Sequence, residues 1–338
     1  MIAGARTAVP RVPRPQRRAH HAIELSSLAV ALTFLGGTSS GSPGDAVNTQ
    51  PAATPQISEQ ALEPLFAAPT RLDQIGRILA PVIINGQGPF RLIVDTGANQ
   101  SVLTTKLATA LGLEISPEHT VKLHGVTGSV LVPIVAVDRF ETGDLVQLGL
   151  ELPVMNSVMG GAEGILGMQG FAGKRITVDF VHDRISIEDS RGQRAPRDFI
   201  TVPATLRFNR LLLVNGEVDG IPVRAVIDTG AQQTLGNRAL RDALLRRGRF
   251  GLRGSSTQVI GLTEEEQRGD VIHTPPIRLG GAQISNIYVV YGDIRVFELW
   301  GLKRQPALLV GMDVLGTLQT LVIDYRLKQL QILAHDPD

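Results

Sequence analysis

Two Asp-Thr-Gly triplets, Asp95-Thr96-Gly97 and Asp228-Thr229-Gly230, are the residues best placed to do chemistry. Two carboxylates held about 3 Å apart cannot both ionise, so they share one proton and become acid and base together. The ionised member can take a proton from a trapped water as that water attacks a peptide carbonyl, while the protonated member donates to the carbonyl oxygen. Such a pair needs neither a metal nor a covalent intermediate. Gly permits a tight turn and close approach of the two loops, and a Thr hydroxyl can hydrogen-bond across the gap between them. A chance Asp-Thr-Gly in a chain this long has a probability on the order of a few per cent. One would be weak evidence; two at equivalent places in a repeat are strong.

The flanking sequence supplies that repeat. In the first copy Val82-Ile83-Ile84-Asn85-Gly86 leads to Phe90-Arg91-Leu92-Ile93-Val94 and the triplet. In the second, Leu213-Val214-Asn215-Gly216 leads through Asp219-Gly220 to Val223-Arg224-Ala225-Val226-Ile227 and the triplet. Each reads as a β-hairpin whose return strand delivers an Asp at its end. Helices are expected over Leu103 to Leu111 and Asn237 to Arg246. Two further hairpins follow, Thr120 to Val135 around Gly125-Val126-Thr127-Gly128 and Thr257 to Ile272 around Gly261-Leu262 with acids at Glu264 to Glu266. Either could serve as a mobile lid, with Gly125 to Gly128 the favoured tip. Ile165-Leu166-Gly167-Met168 matches Leu309-Val310-Gly311-Met312, and Ile176-Thr177-Val178-Asp179-Phe180 matches Leu321-Val322-Ile323-Asp324-Tyr325.

The pattern of strand, Asp-Thr-Gly-Ala, lid-like hairpin and apolar-apolar-Gly resembles the retropepsin group of aspartic proteases over roughly Pro81 to Leu333. The resemblance implies an all-β acid-protease fold: two pseudo-symmetric lobes, a few short helices and the active site at their interface, with both copies in one polypeptide. It implies catalytic roles for Asp95 and Asp228, interlocking threonines at Thr96 and Thr229, and loop support from Gly97, Ala98, Gly230 and Ala231. Pepsins usually carry Ser where Ala98 and Ala231 stand, so this dyad is expected to work at less acidic pH than theirs. Asn99-Gln100 and Gln232-Gln233 depart from the acid that retroviral enzymes usually have after the triplet, which bears on specificity. The unlike hairpins suggest an asymmetric cleft in which one hairpin closes. The nearest group is that of bacterial, exported, tandem proteins.

Composition agrees with such a fold. With 338 residues, 43% hydrophobic and 19% charged, the chain can bury a substantial core; 36 Gly and 20 Pro favour short strands joined by turns. Lys and Arg number 33 against 32 acids, giving no whole-chain field for nucleic acid. No cysteine is present, which excludes a thiol nucleophile. The seven His have no metal-binding spacing, so no cofactor is expected. Gly37-Thr38-Ser39-Ser40-Gly41 matches a nucleophile pattern but lies in the leader, away from any sheet.

An Arg-rich start followed by the apolar run Leu25 to Leu35 reads as an export signal, giving a periplasmic or secreted protein, or a membrane-anchored one if the leader is not cleaved. The expected divisions are a leader over 1–45, a linker over 46–70, a first lobe over 71–189, a connector over 190–205 and a second lobe over 206–338. The partner expected is a protein or peptide substrate, with a monomer forming an intramolecular pseudo-dimer. Competing readings are a catalytically inactive peptide-binding module of the same fold and a scaffold acting through Phe297, Trp300 and the insertion Asp293 to Pro306. The basic stretch Arg238, Arg241, Arg246, Arg247, Arg249 and Arg253 reads as a solvated helix face rather than an anion-binding surface.

Overall fold

The computed structural model describes residues 76–334 apart from 159, 208–209, 249–254 and 264, preceded by two short strands, Ala68–Pro69 and Arg71–Leu72. The expected leader and most of the expected linker lie outside the described residues, as do Glu264, Arg249 and Arg253.

Both copies form the anticipated hairpins. Ile78–Ile84 turns through Asn85 and Gly86, both at positive φ, into Gln87–Val94; Leu211–Val218 turns through Asp219 and Gly220, again both positive, into Ile221–Ile227. Paired left-handed residues match the twist of a two-residue hairpin, which is why Asn-Gly and Asp-Gly sit there. The Asn215-Gly216 pair makes no turn. It lies inside its strand, where Gly216 pairs with Val223 on one side and Leu279 on the other.

The return strands then pair in parallel with Gly164–Leu166 and Ala307–Val310 respectively. Continuous apolar runs such as Leu92-Ile93-Val94 and Ala225-Val226-Ile227 are buried, as expected for strands covered on both faces. The first helix is shorter than the sequence suggests. Val102–Thr104 is a strand paired with Gly164–Leu166, and the helix runs Thr105–Ala110 behind a Thr104 cap. The second runs Arg238–Arg246 behind Asn237. Arg238 pairs with Asp242 and Arg241 with Asp270, while Arg247, just past the helix end, donates to the carbonyls of Asp219 and Gly220.

Among the described residues the first lobe is an eight-stranded sheet, while the second lobe continues into strands shared by both lobes. Lys174–Asp179 from the first lobe pairs antiparallel with Thr320–Asp324 from the second, and each is backed by its own hairpin partner, Arg184–Asp189 and Gln329–Leu333. At the ends of this shared sheet lie Ala68–Pro69 and Ile200–Arg207 in equivalent places. Residues 200–205, the end of the expected connector, therefore belong to a strand. Ile200–Arg207 pairs with Gln329–Leu333 and then with Leu211–Val218, joining the shared sheet to the second lobe. One large apolar cluster, from Ile78 to Ile332, runs under both lobes, with two smaller ones flanking the triplets.

Candidate active site

Each triplet begins where a return strand ends beside its parallel neighbour. The Asp95 amide donates to Leu166 O at 3.1 Å and the Asp228 amide donates to Val310 O at 3.0 Å, fixing the two loops alike. Glycines at 167 and 311 let the neighbouring strands pass: a Cβ at Gly167 would lie 2.3 Å from the Gln100 backbone, and one at Gly311 would lie 2.7 Å from that of Gln233.

The loops interlock through their threonines, both buried. The Thr96 hydroxyl donates to Ile227 O at 2.7 Å and accepts from the Thr229 amide at 3.1 Å. The Thr229 hydroxyl donates to Val94 O at 2.6 Å and accepts from the Thr96 amide at 3.2 Å. Four bonds thus join the two lobes at the base of the site, leaving no buried hydroxyl or amide there unpaired. The carboxyls sit above this lock. The Gly97 amide donates to Asp95 Oδ1 at 2.9 Å, and the Gly230 and Ala231 amides donate to Asp228 Oδ1 at 2.9 and 3.2 Å.

Asp95 and Asp228 are hydrogen-bonded to one another and are not equivalent. Burial, the negative charge of Asp95 and the shared bond hold Asp228 well above the usual carboxylate range. Burial also raises Asp95, but the bond donated by Asp228, the Gly97 amide and the charge of Arg77 all oppose that rise. Both carboxyls are thus held above their ordinary range, and the pair shares one proton. The phenol of Tyr325 is pushed up by burial and by that same Asp95 charge.

All eight triplet and alanine positions named from the sequence meet at this interface, and both lid candidates reach it too. The tips touch each other. Thr127 Oγ1 accepts from the Gly261 amide at 3.1 Å, and the Ser129 amide donates to Glu265 Oε1 at 3.2 Å. Val126 packs into the second lobe's apolar cluster with Ala231, and Leu262 into the first lobe's with Ala98. Both meet, because each tip carries an apolar residue that finds its burial in the opposite lobe. His124, beside the tip, is exposed.

Two arginines escaped the sequence reading. Arg77 is buried and acts on Asp95, and Arg210 Nη1 donates to Asn99 O at 2.8 Å, so a second-lobe side chain grips the loop after the first triplet. They stand equally far before their triplets, a repeat signal that could have found them. The insertion 293–306 forms the helix Arg295–Leu299 with Phe297 and Trp300 buried, so those rings pack within the second lobe. Among the described residues no group of His, Asp and Glu is gathered to hold a metal ion.

Two pseudo-symmetric β-lobes, each lending one aspartate to a shared and desolvated carboxyl pair, define the acid-protease class. The family model described as aspartyl protease matches residues 80–169 and 214–314, more than half the chain, in two segments that correspond to the two lobes. The chain belongs to this retropepsin-like aspartyl protease family. No curated protein matches it significantly.

Proposed function

We propose that the protein is an aspartic endopeptidase in which Asp95 and Asp228 activate a water against a peptide bond. The observation that supports this best is the pair itself: two buried carboxyls, one from each lobe, brought together above the threonine lock and both held above the ordinary carboxylate range, so that they share a proton. Asp95 takes a proton from the water, whose oxygen bonds to the carbonyl carbon as Asp228 passes its proton to the carbonyl oxygen. The resulting gem-diol collapses as its C–N bond breaks: the amine leaves with a proton from Asp95, and a hydroxyl proton returns to Asp228. The two hairpins cover the peptide and keep bulk water away. The Arg-rich start and the apolar run Leu25 to Leu35 support export as the setting in which it acts.

The test is digestion of a peptide library by the chain lacking its first 45 residues, read by mass spectrometry from acidic to neutral pH. Cleavage is expected, and Asp95→Asn or Asp228→Asn is expected to lower it by about 10²-fold or more. Cleavage unchanged in either folded variant would remove the dyad mechanism. Peptide binding without turnover by the wild type would instead favour the inactive binding module.

A further inference from the structure

Fourteen residues, 293–306, join the strands Ile287–Gly292 and Ala307–Val310, where the first lobe has eight, 156–163, between Leu145–Met155 and Gly164–Leu166. The longer loop carries the helix Arg295–Leu299. Two successive amides at its start gather both hairpins. Arg295 N donates to Gln267 Oε1, on the return strand of the second hairpin, at 3.0 Å. Val296 N donates to Val126 O, at the tip of the first, also at 3.0 Å.

The same loop is pinned to its lobe from beneath. Asn237 Nδ2 donates to Leu302 O at 2.8 Å and Gln305 O at 2.7 Å, and Arg207 Nη1 donates to Trp300 O at 3.1 Å. Phe297 and Trp300 pack edge to face with centroids 6.3 Å apart. A segment fastened to the lobe body on one side and to both hairpins on the other is a fixed jaw against which a lid shuts. In the first lobe Thr104 stands in the place of Asn237 and its hydroxyl reaches Glu163 O of the shorter loop. Among the described residues no backbone bond ties that loop to the second hairpin.

The jaw also joins the packing behind the strand that delivers Asp228. The second lobe's cluster holds Val226, two residues before Asp228, together with Val126, Phe297 and Trp300. The first lobe's holds Ile93, two residues before Asp95, with Leu262 and otherwise aliphatic side chains. The strands that deliver the two aspartates are therefore packed differently, one in a cluster with the Phe297–Trp300 ring pair and the other in a cluster without aromatic rings.

We infer that the loop 293–306 is a clasp that holds the two hairpins shut and makes the second-lobe half of the cleft the discriminating one. Substrate side chains on that side of the scissile bond are read more narrowly than those on the other. The specificity half of this inference rests on the endopeptidase reading; the clasp does not.

Amide hydrogen exchange tests the clasp without catalysis. In the wild type the Val296 amide is expected to exchange at least about 100-fold more slowly than a free amide; exchange near the free rate overturns the clasp without any variant. Val296→Pro removes the donor in the first turn of the helix Arg295–Leu299, where the amide has no partner within the helix. It is expected to speed exchange of the Gly261 and Ser129 amides, which bridge the hairpins, by about tenfold or more, with Thr96 and Thr229 unchanged; unaltered Gly261 and Ser129 amides overturn the clasp. Cleavage-site profiling tests the rest. Replacing 293–306 by the sequence of 156–163 is expected to broaden the preference on one side of the scissile bond and leave the other as it was. Equal change on both sides, or none, overturns the specificity half. A wild type that cleaves no peptide removes the endopeptidase reading and the specificity half with it, while the exchange rates still decide the clasp.

Discussion

A methyl group is enough to disturb the carboxyl pair. A Cβ at Gly97 would lie 2.5 Å from Asp228 Oδ2, and one at Gly230 would lie 2.2 Å from the Asp95 carboxyl carbon. Each glycine is thus required by the opposite lobe's aspartate, not by its own backbone angle. Gly97→Ala is expected to cost about 1–3 kcal/mol of stability, as overpacking does, and to remove nearly all peptidase activity; a variant with wild-type melting and turnover would show that the pair has room to part. The shared proton has its own signature. The folded-state pKa of each carboxyl is raised, so between the ordinary carboxylate range near about 4 and the folded values the folded protein holds more protons than the unfolded chain. Stability from this source is full below that range and is lost as pH rises through the folded pKa. Thermal unfolding measured from pH 4 upward should show this decline, and Asp228→Asn should flatten it. The kcat/KM profile should be a bell whose two limbs, ionisation of the pair's first and second protons, both lie above about pH 4. At this scale the sequence was most informative, because Asp-Thr-Gly is a composite of demands that few other sites make. Arg77 was hidden for the opposite reason: a lone arginine before a strand is unremarkable until the fold buries it beside Asp95.

Helix caps show how much more an element can ask of one side chain than its cap position suggests. Thr104 caps the first helix by accepting from the Leu107 amide, and Asn237 caps the second by accepting from Leu240. Asn237 also accepts from the Ala307 amide and donates to the two carbonyls of the clasp loop, all while almost fully buried. Loss of a cap costs about 1 kcal/mol, and each buried partner left unpaired adds about 1–3 kcal/mol. Asn237→Ala should therefore destabilise the protein by several times as much as Thr104→Ala in matched urea titrations; equal losses would mean that the loop carbonyls find water instead. Periodicity located the helices at 105–110 and 238–246 and the hairpins of the triplets and the lids, since alternation and turn pairs such as Asn85-Gly86 are local signals; it did not find the helix Arg295–Leu299. It could not place Asn215-Gly216 inside a strand, because the strand of Ile277–Leu279 that claims Gly216 lies far along the chain. Nor could it show that the two hairpin tips meet, since their complementarity exists only after both lobes have formed.

Across the whole molecule the lobes are coupled by the shared sheet of Lys174–Asp179 with Thr320–Asp324, by the threonine lock below the carboxyls and by the hairpin tips above them. The repeat made two lobes legible, but repeats alone do not say how copies dock; that depends on strands whose pairing partners lie in the other half of the chain. Buried polar groups mark the docking in the shared sheet. Asp324, fully buried, accepts from Ser190 Oγ at 2.7 Å, and Arg175 lies opposite it in register. The threonine lock offers the sharper test of coupling. Thr96→Val strands the Thr229 amide and Ile227 O, and Thr229→Val strands the Thr96 amide and Val94 O, so each single change should cost about 2–6 kcal/mol from two unpaired buried groups. Each surviving hydroxyl can bond only if the other loop is still pressed against it. Once one is gone the loops part and the second removal costs less, giving a double mutant less destabilised than the sum of its parts by about 0.5–3 kcal/mol. Thr→Ser at either place keeps the hydroxyl and should keep most of the stability. Chemical denaturation of the four proteins in the cycle measures the coupling directly; strict additivity would mean that the two hydroxyls act as independent bonds.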